Sequence, residues 1–145
     1  MGDSRGPRRV PRLPQAIGAE RKAARLRYLT LRWANALKVQ PRIKILSELS
    51  EPAQCWGVAA VDIDGIDVRQ LARFLMDKYR IVVVPLVGGA PPNSVFDYQA
   101  LRVSPNVYTT LEEIDTFVEA MEDAIKNGVP GSSDPIPAYP ADVTV

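Results

Sequence analysis

Two amphipathic helical patterns near the ends of the chain, with short β-branched segments between them, limit the possible folds more than any other feature of the sequence. In residues 15–38 apolar side chains recur at helical spacing, and the pattern stops before Pro41, which disfavours a helical residue in front of it. The second pattern starts at Thr110-Leu-Glu-Glu113, which matches a capping box, and ends at Asn127-Gly128. Each helix has an apolar face to bury, so the segments between them must supply a layer on which both can pack.

Four short segments between these helices are rich in apolar and β-branched residues and predict strands. They are residues 42–46, 57–63, 81–84 and 100–104. Asp64-Gly65 predicts a turn, and Asp67 predicts the cap of a third helix, with Gln70 at the position that completes a capping box. Residues 85–98 are rich in glycine and proline and predict a loop. The order of elements predicts an α+β fold in which three helices pack on a sheet of about four strands.

The 145 residues fit a single domain, which we expect to span residues 15–128. Residues 1–14 hold three prolines and four arginines without periodicity, and this composition predicts a disordered Pro/Arg-rich tail. Residues 129–145 hold four prolines and no period, which predicts a second tail.

Composition excludes several classes of site. The chain has no histidine, so histidine–carboxylate catalysis and histidine metal sites are excluded. A single cysteine, Cys55, excludes an intrachain disulfide and suits a reducing compartment. No apolar run approaches the length of about 18 residues that a membrane helix needs, and the arginines near the amino end lack the apolar stretch of a secretory signal. We therefore expect a cytoplasmic protein that does not bind membranes.

Charge is distributed unevenly along the chain. Residues 1–44 hold 12 of the 18 Lys and Arg residues and two of the 17 acids. Such a basic region is typical of a nucleic-acid or protein-binding surface, and equally of the solvated face of one helix. We favour the solvated face and do not expect nucleic acid as a partner. The alternative function is a non-catalytic domain whose Arg-rich amino-terminal third binds nucleic acid or a protein.

Three segments resemble the class V aminotransferases, PLP-dependent enzymes of fold type I. The first two are residues 16–29 and 61–71. The most specific is Leu101-Arg-Val-Ser-Pro-Asn-Val-Tyr-Thr-Thr-Leu-Glu-Glu-Ile-Asp-Thr-Phe-Val118, which is similar to the R-[VA]-S-x-x-x-Y-[NT]-T-x-x-E-[IV]-D segment of isopenicillin-N-epimerase-like proteins and cysteine desulfurases. The resemblance covers residues 16–125 and only the carboxy-terminal small domain of the family, so it implies a fragment or a separate small-domain protein.

The resemblance implies that Arg102 binds the α-carboxylate of an amino-acid substrate in the intact enzyme. A guanidinium offers two parallel N–H donors that match the two oxygens of a carboxylate. It also implies PLP as the cofactor and transamination, epimerisation or desulfuration as the reaction. Thr110 is expected to cap a helix, and Tyr108 to be a buried ring whose hydroxyl reaches water.

The family's PLP lysine belongs to its large domain, and no lysine here lies in a segment similar to it. The five lysines are Lys22, Lys38, Lys44, Lys78 and Lys126. We therefore expect no covalently bound PLP and no activity from this chain alone. The expected partner is a PLP large domain or a second copy, which would cover apolar residues otherwise exposed. Those residues are expected to include Trp33, Leu86, Val87 and Phe96.

Two other candidates have simpler explanations. Cys55 precedes a predicted core strand, without a neighbouring base that would activate it, so we do not expect a catalytic thiol. Asp62, Asp64 and Asp67 resemble a metal-binding spacing, but a turn followed by a helix cap accounts for them.

Overall fold

The computed structural model describes residues 15–51, 55, 57–88 and 98–131. The predicted tail at residues 1–14, most of the tail at 129–145, and Phe96 lie outside these residues. The described part contains three helices, α1 (Gln15–Leu37), α2 (Val68–Tyr79) and α3 (Leu111–Asn127). Its four strands are β1 (Ile43–Ile45), β2 (Ala59–Ile63), β3 (Val84–Val87) and β4 (Gln99–Val103). The predicted α+β fold, with three helices and a four-stranded sheet, is confirmed.

The strands form one antiparallel sheet in the order β1-β2-β4-β3. Side chains alternate between its two faces. On one face Val61, Ile63, Leu101 and Val103 are buried in a single core cluster with apolar residues of all three helices. We call the opposite side the open face. It carries the following strand residues: Lys44, Ala60, Asp62, Val84, Leu86, Ala100 and Arg102.

Local sequence signals set the helix boundaries. Thr110 forms the predicted capping box of α3, because its hydroxyl accepts from the Glu113 N–H at 3.1 Å and the Glu113 carboxylate accepts from the Thr110 N–H at 2.8 Å. Asp67 caps α2 by accepting from the N–H groups of Arg69 and Gln70. The expected caps at Thr110 and Asp67 are therefore confirmed.

Charged and aromatic contacts fix α3 against the other helices. Arg32 of α1 makes two parallel hydrogen bonds of 2.8 Å with the Asp115 carboxylate, and this contact lowers the pKa of Asp115. The Lys78 ammonium and the Tyr79 hydroxyl of α2 both donate to Oδ2 of Asp123 at 2.7 Å. These contacts orient α3, which follows β4 in the chain, relative to the rest of the core.

The approach of α1 to the sheet requires a glycine. Gly57, just before β2, has φ of 82°, and a Cβ there would lie 2.7 Å from Cβ of Leu26. A larger residue would be strained by its backbone conformation and would clash with α1. The close packing places β2 directly under the helix layer.

Two expectations about the core were wrong. The third strand was predicted at residues 81–84, but β3 begins at Val84 and includes Pro85, which lies opposite Leu101 at the sheet edge. The apolar residues 81–83 before β3 include the buried Val83 but are not paired as a strand. Pro85 is tolerated in β3 because one side of an edge strand's backbone needs no hydrogen-bond partner. Trp33, expected to be exposed, is completely buried and contacts Phe117 of α3 edge-to-face, with ring centroids 5.5 Å apart.

No helix in the described part of the chain combines the length and the apolar character needed to cross a membrane.

Candidate functional site

Arg102 lies in the middle of the open face, next to the end of a central strand. Its partners in register are Ala60 on β2 and Val84 on β3. The side chain is exposed. Among the described residues it has neither a hydrogen-bonding partner nor an ion-pair partner. No described residue therefore occupies the guanidinium.

The turn after β4 is fixed by its own hydrogen bonds. The Asn106 N–H donates to the Thr109 hydroxyl, and the Asn106 side chain accepts from the Tyr108 N–H. Arg25 of α1 donates to the carbonyl oxygen of Thr109 at 3.1 Å. The cap of α3 follows directly after this turn. The turn that ends β4 is therefore fixed by its own hydrogen bonds, by Arg25 and by the start of α3. Arg102 therefore lies on a rigid element, as a residue that orients a ligand requires.

Tyr108 differs from the expectation. It was predicted to be a buried ring, but it is 88% exposed. The hydrogen bonds of the turn are made by its backbone and by its neighbours, so nothing in the turn draws the ring into the core. The exposed ring cannot be assigned a structural role in the described part of the chain.

Asp62 is a polar residue of the open face that the sequence did not identify as part of a site. It lies on β2 opposite Lys44 of β1. Its Oδ1 atom is buried and has no hydrogen-bond partner among the described residues. The sequence signal available was an acidic residue between Val61 and Ile63 in an otherwise apolar strand. Arg102 lies beside Asp62 in the sheet, but its strand is distant from β2 in sequence. The sequence pattern alone could therefore not show that these two residues are neighbours.

Solved structures share this fold. A cysteine desulfurase from Thermococcus onnurineus NA1, solved without ligand, aligns with 78% of this chain at a TM-score of 0.64 and 25% sequence identity. A NifS-like protein from Rickettsia africae aligns with 77% at a TM-score of 0.59 and 18% identity. An aminotransferase, TlmJ, from Streptoalloteichus hindustanus aligns with 76% at a TM-score of 0.55 and 14% identity.

The chain has a class V aminotransferase-like fold. It spans 28% to 34% of the length of these three structures, so the likeness concerns one part of each. The resemblance inferred from the sequence is confirmed at this level. No protein-family model and no curated protein sequence matches the chain.

The described lysines of this class V aminotransferase-like fold do not form a PLP site. Such a site needs a lysine together with a carboxylate for the pyridine nitrogen and donors for the phosphate. Lys78 of α2 is hydrogen-bonded to Asp123 of α3, and Lys38 is hydrogen-bonded to Asn35 at the end of α1. Lys22 and Lys126 are exposed on α1 and α3, and Lys44 is exposed on β1. None of the described lysines is therefore accompanied by the groups that would hold this cofactor.

The remaining candidates have structural roles or none. Cys55 is buried, 4% exposed, so its thiol is not accessible to a substrate in this structure. Asp67 is occupied as the α2 cap. In the described part of the chain, no group of three or more acidic or cysteine side chains could hold a metal ion.

A depression of about 530 Å³ lies elsewhere, between the end of α2 and the start of α3. Arg80, Val82, Ser104 and Glu112 are among its lining residues, whereas Arg102 and Asp62 are not. Arg102, to which the resemblance assigns the substrate carboxylate, does not line this depression, so we place the candidate site on the open face.

Proposed function

We propose that this chain is the substrate-binding small domain of a class V aminotransferase-like PLP enzyme that acts on an amino acid. Arg102 binds the substrate carboxylate. The observation that carries the proposal is the position of this arginine: it is exposed and without a partner among the described residues, on a strand fixed at the centre of the open face. The same residue begins the motif that resembles the family.

Arg102 contributes charge and direction. Its two parallel donors fix the plane of a carboxylate, which a point charge such as an ammonium does not. A substrate oriented in this way needs less reorganisation to react. When PLP is bound by the rest of the enzyme, it withdraws electrons from the carbon beside the carboxylate. The chain's own contribution is to bind and orient.

The PLP-binding part is supplied by another chain or by another part of a longer protein. The matched structures are about three times longer than the segment that they share with this chain. The open face has apolar residues beside Arg102, with Val84 and Leu86 half-buried, and Leu46 next to it is 51% exposed. A covering domain would bury Val84, Leu86 and Leu46; without one, the face favours self-association. Val87, expected to be exposed, is 44% exposed, but it pairs with Gln99 and does not belong to the open face.

A complementation experiment tests the proposal. A class V enzyme is expressed without its small domain and mixed with this chain, and turnover of its amino-acid substrate is measured. We expect this chain to restore turnover and Arg102→Ala to lose roughly 2–4 kcal/mol of substrate binding and positioning. Arg102→Lys should recover little of the loss. Arg69→Ala, which removes an exposed arginine from α2, is the matched control and should behave like the unchanged chain. Full turnover with Arg102→Ala would contradict the proposal.

The alternative, a basic surface formed by the amino-terminal third, has no support in the described contacts. Arg25 donates to the Thr109 carbonyl, Arg32 binds Asp115, and Arg42 donates to the carbonyl oxygens of Asp64 and Ile125. These arginines hold the fold together, which makes them less available to a polyanion.

A further inference from the structure

The carboxylate of Asp62 has no hydrogen-bond partner among the described residues. Its Oδ1 is removed from solvent and accepts no hydrogen bond from any described residue. A buried charged oxygen without a donor is unfavourable, and natural proteins rarely leave one without a function. Lys44, directly opposite on β1, is exposed and does not form an ion pair with it in the described structure.

The sheet register places Asp62 beside Arg102. Ala60 pairs with Arg102 and Val61 with Leu101, so Asp62 faces Ala100 in the next position along the two strands. Asp62 and Arg102 therefore occupy diagonal positions on adjacent strands, where the two residues are about 7–8 Å apart. The other diagonal is formed by two alanines, Ala60 and Ala100. Neither alanine side chain carries a polar group that could pair with the acid or the arginine.

Opposite charges at this spacing, each without a partner among the described residues, fit a ligand that carries both charges. We propose that Asp62 and Arg102 form a two-point site for a zwitterionic amino acid, in which Arg102 binds the carboxylate and Asp62 accepts hydrogen bonds from an ammonium. The inference rests on the proposed function, because it assumes that Arg102 is the carboxylate contact. The ammonium is that of the α-carbon or that of a basic side chain.

Binding of matched ligand pairs to the full chain tests the site, with the amide resonances of Leu101–Val103 followed by NMR. Alanine against propionate isolates the α-ammonium, and lysine against norleucine isolates a side-chain ammonium. In at least one pair the ligand with the extra ammonium should bind roughly tenfold more tightly, as for one hydrogen bond between charged groups. The pair that shows the preference identifies the source of the ammonium.

Asp62→Asn should abolish this preference while leaving propionate binding in place. Asp62→Ser is a second variant in case the amide disturbs β2, and circular dichroism checks that each variant folds. Asp64→Asn removes the same charge from the adjacent turn, and Lys44→Met removes the neighbouring cation. Both should keep the preference.

The outcomes separate the two proposals. If Arg102→Met leaves propionate binding unchanged, the carboxylate assignment fails, and the proposed function fails with it. If Arg102→Met abolishes binding but Asp62→Asn keeps the preference, only the two-point site is overturned. The two-point site is also overturned if the unchanged chain shows no preference in either ligand pair. It is likewise overturned if Asp64→Asn or Lys44→Met removes the preference as Asp62→Asn does.

Discussion

The two faces of the sheet are built from the same strands and differ completely in character. Toward the helices, Val61 and Leu101 are fully buried within one apolar cluster. On the open face, one residue further along the same strands, Asp62 and Arg102 are without partners among the described residues. Adjacent positions in one strand therefore differ in role: one face stabilises the domain, and the other carries the groups that we propose bind a ligand. Substitutions at neighbouring positions should separate stability from binding.

The largest effect is expected from the helix face. Leu101→Ala removes a fully buried side chain at the centre of the core and leaves a cavity, which should lower the free energy of unfolding by about 2–5 kcal/mol. Urea denaturation followed by circular dichroism measures this loss. A loss below about 1 kcal/mol would mean that the core can close around the cavity, and that the contrast between the faces is weaker than the burial implies.

An intermediate effect is expected from acid. Hydrogen bonds from Lys78, Asn127 and Tyr79 hold the pKa of Asp123 well below its usual range, and Arg32 lowers the pKa of Asp115. A carboxyl group whose pKa is lower in the folded state stabilises the fold above its unfolded pKa, near 3.8 for Asp, and loses that contribution as pH falls. Stability should therefore decrease below about pH 4.

Asp123→Asn isolates this contribution. The variant should be less stable than the unchanged chain at pH 7 and should show a weaker decrease of stability toward acid, because one of the two carboxylates no longer titrates. Thermal unfolding measured between pH 7 and pH 2.5 checks both results. The same pH dependence in variant and unchanged chain would show that Asp123 does not couple α2 to α3.

A small effect is expected at the position next to Leu101. Arg102→Ala should change the free energy of unfolding by less than about 0.5 kcal/mol, since the side chain has no described partner to lose. Urea denaturation of this variant beside Leu101→Ala makes the comparison direct. If Arg102→Ala instead unfolds the domain, Arg102 is structural, and the open face is not a binding surface.

No covalent effect is expected from PLP. Lys44 lies on the open face, but the described lysines lack the companion groups of a PLP site. After incubation with PLP and reduction with borohydride, mass spectrometry should find no stoichiometric modification of a single lysine. The Lys44→Met variant serves as the control. A specific adduct on one lysine would show that this chain carries more of the enzyme than the open face alone.

The elements with local signals were predicted well from the sequence. Thr110 with Glu113, and Asp67, define helix starts through hydrogen bonds within three residues, so a short stretch contains the whole signal. Arg102 was found because a motif surrounds it, and the structure adds that it is exposed and lacks a described partner.

The errors concern contacts between residues distant in sequence. The limits of β3 depend on where β4 runs alongside it, and Trp33 is buried because α3 supplies Phe117. Asp62 shows the same limitation: its relation to Arg102 exists only through the register of β2 and β4. A single sequence does not show which residues face each other across strands, so this half of the candidate site could not be predicted.

The strand order also determines when such a site can exist during folding. β2 and β4 are neighbours in the sheet, but Ala60 and its partner Arg102 are separated in the chain by α2 and β3. Pairing them closes a long loop, whose entropic cost must be met before the contacts form, and such non-local pairing slows folding. Until β2 and β4 pair, the acid and the arginine belong to unconnected segments of the chain. Any ligand that bridges them therefore stabilises the paired strands over every state in which they are apart.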